Sequence, residues 1–161
     1  MTQENATSVK ERAEKAREVL QQILDLMSTD AEVKADVEED HIKLVILSDG
    51  GGIIIGKKGQ TLDALQYLVS RIMWRVLPGP ERIVVDAEGY RDRRADQLRA
   101  MAHQVALRVR EELVPYAFDP SLSSAERRIV HMELKDEPDL STQSEGEGDS
   151  RRLVVYPRSG A

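Results

Sequence analysis

The chain has 161 residues, 40% hydrophobic and 32% charged, which fits one or two small globular domains rather than a disordered polymer. It contains no cysteine, which excludes disulfide frameworks and thiolate metal sites, and its apolar runs at 44–47 and 53–55 are far too short to span a membrane. The formal net charge is −6, yet residues 51–80 carry four basic side chains and one acidic, whereas residues 1–50 carry six and twelve.

A polar, helix-forming N-terminus without an apolar leader leads us to expect a soluble cytoplasmic protein. Residues 1–8 are expected to be flexible. Val9, Ala13, Ala16, Leu20, Ile23, Leu24 and Met27 then keep helical spacing, which predicts an amphipathic helix over 9–27. Two strands are expected at 32–39 and 41–48, joined at Asp40; the second is apolar on both faces and so belongs nearer the middle of a sheet. Three glycines at 50–52 break that strand, and Ile53-Ile54-Ile55 lead into Gly56-Lys57-Lys58-Gly59. Leu62, Leu65, Val69, Ile72 and Val76 predict a helix over 60–77, ended by Pro78-Gly79-Pro80, and 82–86 reads as a strand. A second unit opens at Tyr90, with Ala95, Leu98, Ala102, Val105, Val109 and Leu113 as its apolar stripe. Pro115 and Pro120 bracket a connection, and Ser123 with Glu126 forms a capping-box pattern for a helix running to about Lys135. Residues 141–144 and 151–156 read as strands joined by a turn, and 159–161 as a tail. The expected units are 9–88 and 89–158.

The basic stretch holds the chemistry. A glycine-bracketed lysine pair at a helix start exposes main-chain N–H groups beside positive charge, which suits a phosphate. A nucleotide loop is one reading, because Gly51, Gly56 and Lys57 match part of that motif and Asp86 ends a later strand. The motif needs Ser or Thr after the lysine to hold magnesium, and here Lys58 stands there, with Thr61 three residues too late. A nucleic-acid backbone fits better. Gly56 and Gly59 let it approach the main chain, Lys57 and Lys58 add charge, and Ile53, Ile54 and Ile55 serve as core and as an apolar floor for unstacked bases. Alternatively, the isoleucines are all core and the turn is a solvated connector. His41, His103 and His131 show no metal-ligand spacing, and no catalytic set stands out. Six aromatic residues argue against a broad stacking platform, and Tyr67 and Trp74 on the long helix are assigned to packing.

Ile54-Ile55-Gly56-Lys57-Lys58-Gly59-Gln60-Thr61-Leu62 resembles the signature of a KH domain, whose Gly-x-x-Gly loop clamps the backbone of about four nucleotides. The element order is similar to the type II arrangement. Downstream, Arg127 and His131 lie at i and i+4 on one helix face. Glu126-Arg127-Arg128-Ile129-Val130-His131, with Ser144 to Gly148 and Arg151-Arg152, resembles the R-three-H domain, which binds single-stranded nucleic acid. The two in this order are similar to the Jag family (the SpoIIIJ-associated proteins), and the stretch 60–67 and Glu88-Gly89-Tyr90-Arg91 fit in register.

The resemblance implies an α+β fold of two small α/β sandwich modules. One is a type II KH domain ordered helix-strand-strand-helix-helix-strand; the other packs helices on a small antiparallel sheet. It implies a non-enzymatic protein, without metal or cofactor, that binds single-stranded RNA, with single-stranded DNA left open. The contacts would be Ile54, Ile55, Gly56, Lys57, Lys58 and Gly59 in the first module, and Arg127, Arg128, His131, Arg151 and Arg152 in the second. It further implies post-transcriptional control linked to bacterial cell elongation and division, a small KH-only protein as partner, and no membrane insertion. The separate N-terminal domain of many Jag proteins has no counterpart in this sequence, so its membrane or phosphorylation roles are not carried over. A rival expectation is a protein-interaction module using the acidic N-terminal helix and the isoleucine face.

Overall fold

A computed structural model describes residues 3–49 and 51–158, with side chains from Ser8 onward; the expected tail at 159–161 lies outside the described residues. The first helix, α1, spans Gln3–Leu26 and buries Ala13, Ala16, Val19, Leu20 and Leu24. It therefore begins ahead of its apolar stripe. It also stops before Met27, which is exposed and is followed by Ser28 at φ 55°. Gln21 fastens the helix to the segment after it: its side-chain amide donates to the Ala31 carbonyl at 2.9 Å and accepts from the Val33 N–H at 3.0 Å.

Strands β1 (Glu32–Val37), β2 (His41–Leu47) and β3 (Arg82–Ala87) form a sheet in the order β1-β2-β3. The first pair is antiparallel, running from Glu32 opposite Leu47 to Val37 opposite Ile42. The second is parallel, with His41 beside Arg82. The turn at 38–41 closes through the Glu38 N–H and the His41 carbonyl at 2.9 Å. β2 is central as expected, but only one of its faces is covered. Ile42, Leu44 and Ile46 are buried, while His41, Lys43, Val45 and Leu47 are half-buried.

The strand ends at Leu47, and Gly51 and Gly52 begin a short helix that the residue spacing alone did not predict, α2 (Gly51–Ile55). A tight turn over Lys57–Gly59 comes next, and then α3 (Gln60–Val76). The buried stripe of α3 is Leu62, Leu65, Val69 and Met73. Ile72 and Val76 lie at its exposed margin, because a 3-4-3-4 count drifts around a helix of 3.6 residues per turn. These elements share one core with α1 and the inner sheet face.

The chain divides into compact units at 91/92. The second is built on α4 (Tyr90–Glu112), which buries Leu98, Ala102, Val105, Ala106 and Val109. Leu113, expected in that stripe, is 72% exposed at φ 54° and ends the helix. The connection between prolines contains a strand that was not anticipated, β4 (Tyr116–Ala117). With β5 (Leu140–Glu145) and β6 (Arg152–Pro157) it makes an antiparallel sheet in the order β4-β6-β5. Helix α5 (Ser124–Leu134) packs Val130 and Leu134 into the core beside Phe118, Leu140 and Val155. At the end of α4, Arg110 holds Asp139 at 2.6 and 3.0 Å and Glu137 at 2.5 Å. Its hydrogen bonds keep the Asp139 carboxyl below its ordinary range. Both units are mixtures of helix and antiparallel or mixed sheet, an α+β fold.

Candidate nucleic-acid interface

The three isoleucines of α2 have three different surroundings. Ile54 is fully buried, a contribution of about 1.5–3 kcal/mol to the core. Ile55 is half-buried against it, and Ile53 is 71% exposed. Gly56 then turns the chain at φ 69°, ψ −173°, a region open essentially to glycine alone. A Cβ there would stand 2.1 Å from the Thr61 hydroxyl and 3.0 Å from the Thr61 main-chain nitrogen. Lys58 itself adopts φ 54°, and Gly59 at φ 84° is the N-cap of α3. No side chain caps that helix, so its first-turn N–H groups are not claimed by a cap. A Cβ on Gly59 would lie 2.9 Å from the Tyr90 ring, which backs the turn. Lys57 is exposed and Lys58 half-buried. The result is a rigid backbone turn with a helix dipole behind it and two cations beside it, the form of an anion seat.

Next to the turn, α3 and the edge of β3 are laced together. Gln66 accepts from the Val85 N–H at 3.0 Å. The Arg91 Nε donates to the Val85 carbonyl at 2.9 Å, and its terminal nitrogen reaches Asp63 at 2.9 Å and Gln66 at 3.1 Å. Asp86, a metal candidate under the nucleotide reading, is buried with both oxygens used. They accept from the Gly89 and Arg91 N–H groups at 2.8 and 3.2 Å, capping α4.

In the second unit the capping box is complete. Ser123 accepts from the Glu126 N–H at 3.2 Å, and Glu126 accepts from the Ser123 N–H at 2.8 Å. The other oxygen of Glu126 takes the Arg94 Nε at 2.7 Å, which holds the start of α5 to α4. On the next turn Arg127 donates to the Leu122 carbonyl at 2.7 Å, and His131 Nδ1 shares a 2.5 Å hydrogen bond with the Thr142 hydroxyl on β5. Arg127, Arg128, His131 and Arg151 line one open cleft of about 590 Å³ with Ser124 and Ser144, and no carboxylate is among its lining residues. Arg128 and Arg151 are exposed and make no ion pair among the described residues. Arg152 is not brought to this cleft. It sits on β6 opposite Glu145, one residue before Leu153, which does line it.

Four residues noted in the sequence as part of the family pattern have supporting roles that were not assigned there. Thr61 and Tyr90 shape the glycine turn, and Gln66 and Arg91 close the β3 edge. These roles depend on contacts across elements. Tyr67 and Trp74, assigned to packing, are in fact 61% and 67% exposed, because they lie off the buried stripe of α3. Among the described residues, no helix is long and apolar enough to cross a membrane.

Residues 13–87 match the family model "KhpA/KhpB, KH domain", and residues 96–157 match the R-three-H domain model. The chain is 35% identical over 144 residues to the RNA-binding protein KhpB of Clostridium symbiosum, covering 88% of this chain and 64% of that protein. It is 30% identical over 144 residues to KhpB of Bacillus subtilis (strain 168), covering 88% and 69%. Against KhpB of Streptococcus pneumoniae serotype 2 (strain D39) it is 31% identical over 136 residues, covering 84% of this chain and 41% of that one. The chain thus spans about two thirds, or less, of the length of these curated relatives. With both domain models matched in order and the Bacillus protein matched along most of its length, the chain belongs to the Jag family, the KhpB proteins.

Proposed function

We propose that this chain binds single-stranded RNA without catalysing a reaction, holding one strand at two places. The Gly56–Gly59 turn seats the sugar–phosphate backbone, with bases against Ile53 and Ile55. The cleft of Arg127, Arg128, His131 and Arg151 takes a second phosphate or sugar, and Arg152 supplies charge outside it. The observation that carries this reading is the pairing of a glycine-dependent anion seat with a basic cleft whose lining has no carboxylate. The relatives are named RNA-binding proteins, which supports the same class of ligand. Two weak contacts on one strand gain through effective concentration. In this reading the protein acts in the bacterial cytoplasm, in post-transcriptional control linked to elongation and division, with a small KH-only protein as partner.

The test is replacement of Lys57 and Lys58 by Asp, with affinity for single-stranded RNA and single-stranded DNA measured at two salt concentrations. Loss of two phosphate contacts is expected to weaken binding and to reduce the slope of log affinity on log salt by about 1.4. Unchanged affinity and slope would remove the turn from the interface. The rival reading, a protein-interaction module, draws on the outward Ile53 and on Leu26, which is also exposed. It predicts that Ile53→Asp abolishes capture of a protein partner while RNA affinity is retained.

A further inference from the structure

β3 ends at Ala87, and α4 opens at Tyr90. The link between them turns sharply, with Glu88 at φ 52° and Gly89 at φ 72°. Left-handed backbone suits glycine but strains glutamate, and residues held in it cluster where the chain does specific work. The buried Asp86 carboxylate fixes the link by accepting from the Gly89 and Arg91 N–H groups. From this fixed link, three side chains reach three different places around the glycine turn.

Glu88 is exposed, yet its carboxylate accepts from the Ser48 N–H at 3.2 Å. Ser48 directly follows β2, so this contact holds the chain where it departs toward α2. Tyr90 is half-buried against the core of the first unit, with its ring behind Gly59. A Cβ built on Gly59 would stand 2.9 Å from the Tyr90 Cε1 and 3.4 Å from its hydroxyl oxygen. Arg91 reaches Asp63 and Gln66 on the first two turns of α3. The isoleucines and the turn occupy 51–59, so one strap, 88–91, holds the chain both ahead of them and behind them.

Glycines make an anion seat possible but leave it loose, because they lose the most freedom on ordering. A brace that restricts them before a strand arrives removes that loss from the binding step. The strap lies outside 13–87, the span matched by the KH domain model, and Arg91 closes the first compact unit. We infer that Glu88, Tyr90 and Arg91 are positioning residues for the Gly56–Gly59 seat. The working clamp therefore extends past Ala87 to Arg91 and includes the opening residues of α4. Tyr90 carries the largest share, since its ring leaves Gly59 at φ 84° no room to relax. The role in strand binding rests on the RNA-binding reading.

The test uses the full chain. Tyr90→Ala, Tyr90→Phe and Glu88→Gly are compared for hydrogen exchange of the main-chain N–H groups at 56–60, for thermal unfolding, and for affinity for single-stranded RNA of mixed sequence. Tyr90→Ala should speed exchange at 56–60 and weaken RNA binding roughly tenfold. Tyr90→Phe keeps the ring and should restore both. Glu88→Gly removes the strain at φ 52° together with the Ser48 contact, so its unfolding temperature should hold while affinity falls about threefold. A residue that served stability alone would not separate the two. The loss caused by Tyr90→Ala should shrink in the Lys57→Asp, Lys58→Asp background and persist in full in the Arg128→Glu, Arg151→Glu background, because the brace acts through the turn. Unchanged exchange at 56–60 in Tyr90→Ala, or a loss of equal size in both backgrounds, overturns the brace and leaves the RNA reading standing. A chain that binds no RNA overturns that reading, and exchange at 56–60 in Tyr90→Ala and Tyr90→Phe then decides the brace by itself.

Discussion

The two units form their candidate anion sites in opposite ways. In the first, the site is a property of the backbone. Gly56 and Gly59 hold positive φ, Thr61 and Tyr90 fill the space that side chains would need, and the lysines add charge to a shape that already exists. In the second, the site is a property of side chains. An ordinary helix, fixed by its capping box and Arg94, carries Arg127, Arg128 and His131 to a cleft completed by Arg151. A shape-based site should be lost to one added methyl group, whereas loss of its lysines should weaken it without dismantling it. A charge-based site should behave the other way round.

That contrast can be broken directly. The largest effect is expected from Gly56→Ala, which places a Cβ on Thr61 and forces a backbone region that costs about 1–3 kcal/mol for other residues. Thermal unfolding should show the first unit destabilised and the second unaltered, and RNA affinity should fall to that of the second unit alone. Should Gly56→Ala leave both intact, the turn is not shape-determined. Next is the charge reversal Arg128→Glu with Arg151→Glu. Both side chains are exposed, so the fold should hold while the salt slope of RNA binding drops by about 1.4. An unaltered slope would mean that the cleft does not meet phosphate. The smallest effect is expected from Ser123→Ala, which removes one half of the capping box and should lower the stability of the second unit by about 1 kcal/mol. RNA affinity should change only as far as Arg127 and His131 lose their placement, which separates scaffold from contact in the charge-based site.

What could be read in advance depended on the range of the interactions. The capping box was legible because Ser123 and Glu126 are three residues apart and satisfy each other locally. The centrality of β2 was legible from its β-branched run, although its second face proved only half-covered. The Arg127/His131 spacing put both side chains on one face, and the structure places both in the same cleft. β4 was not legible. Two residues between prolines have no period of their own and become a strand only because β6 offers a partner. Leu113 continued the apolar count of α4, and nothing in that count shows that the helix ends one residue earlier. Trp74 was misassigned for a related reason. Helical spacing places a residue on a face, but whether that face is covered depends on what the rest of the chain brings to it.

The lacing of Gln66 and Arg91 to Val85 has a consequence for the molecule in a crowd. β3 ends its sheet, and an edge strand with unmet main-chain groups is a template on which another chain can add a strand. Here the middle of that edge is already satisfied by side chains of the same unit, and the opposite edge, β1, carries Glu32, Lys34 and Asp36 facing outward. Copies at high local concentration would otherwise meet edge to edge. This arrangement lets them stay separate there, without fibre-like growth from sheet to sheet.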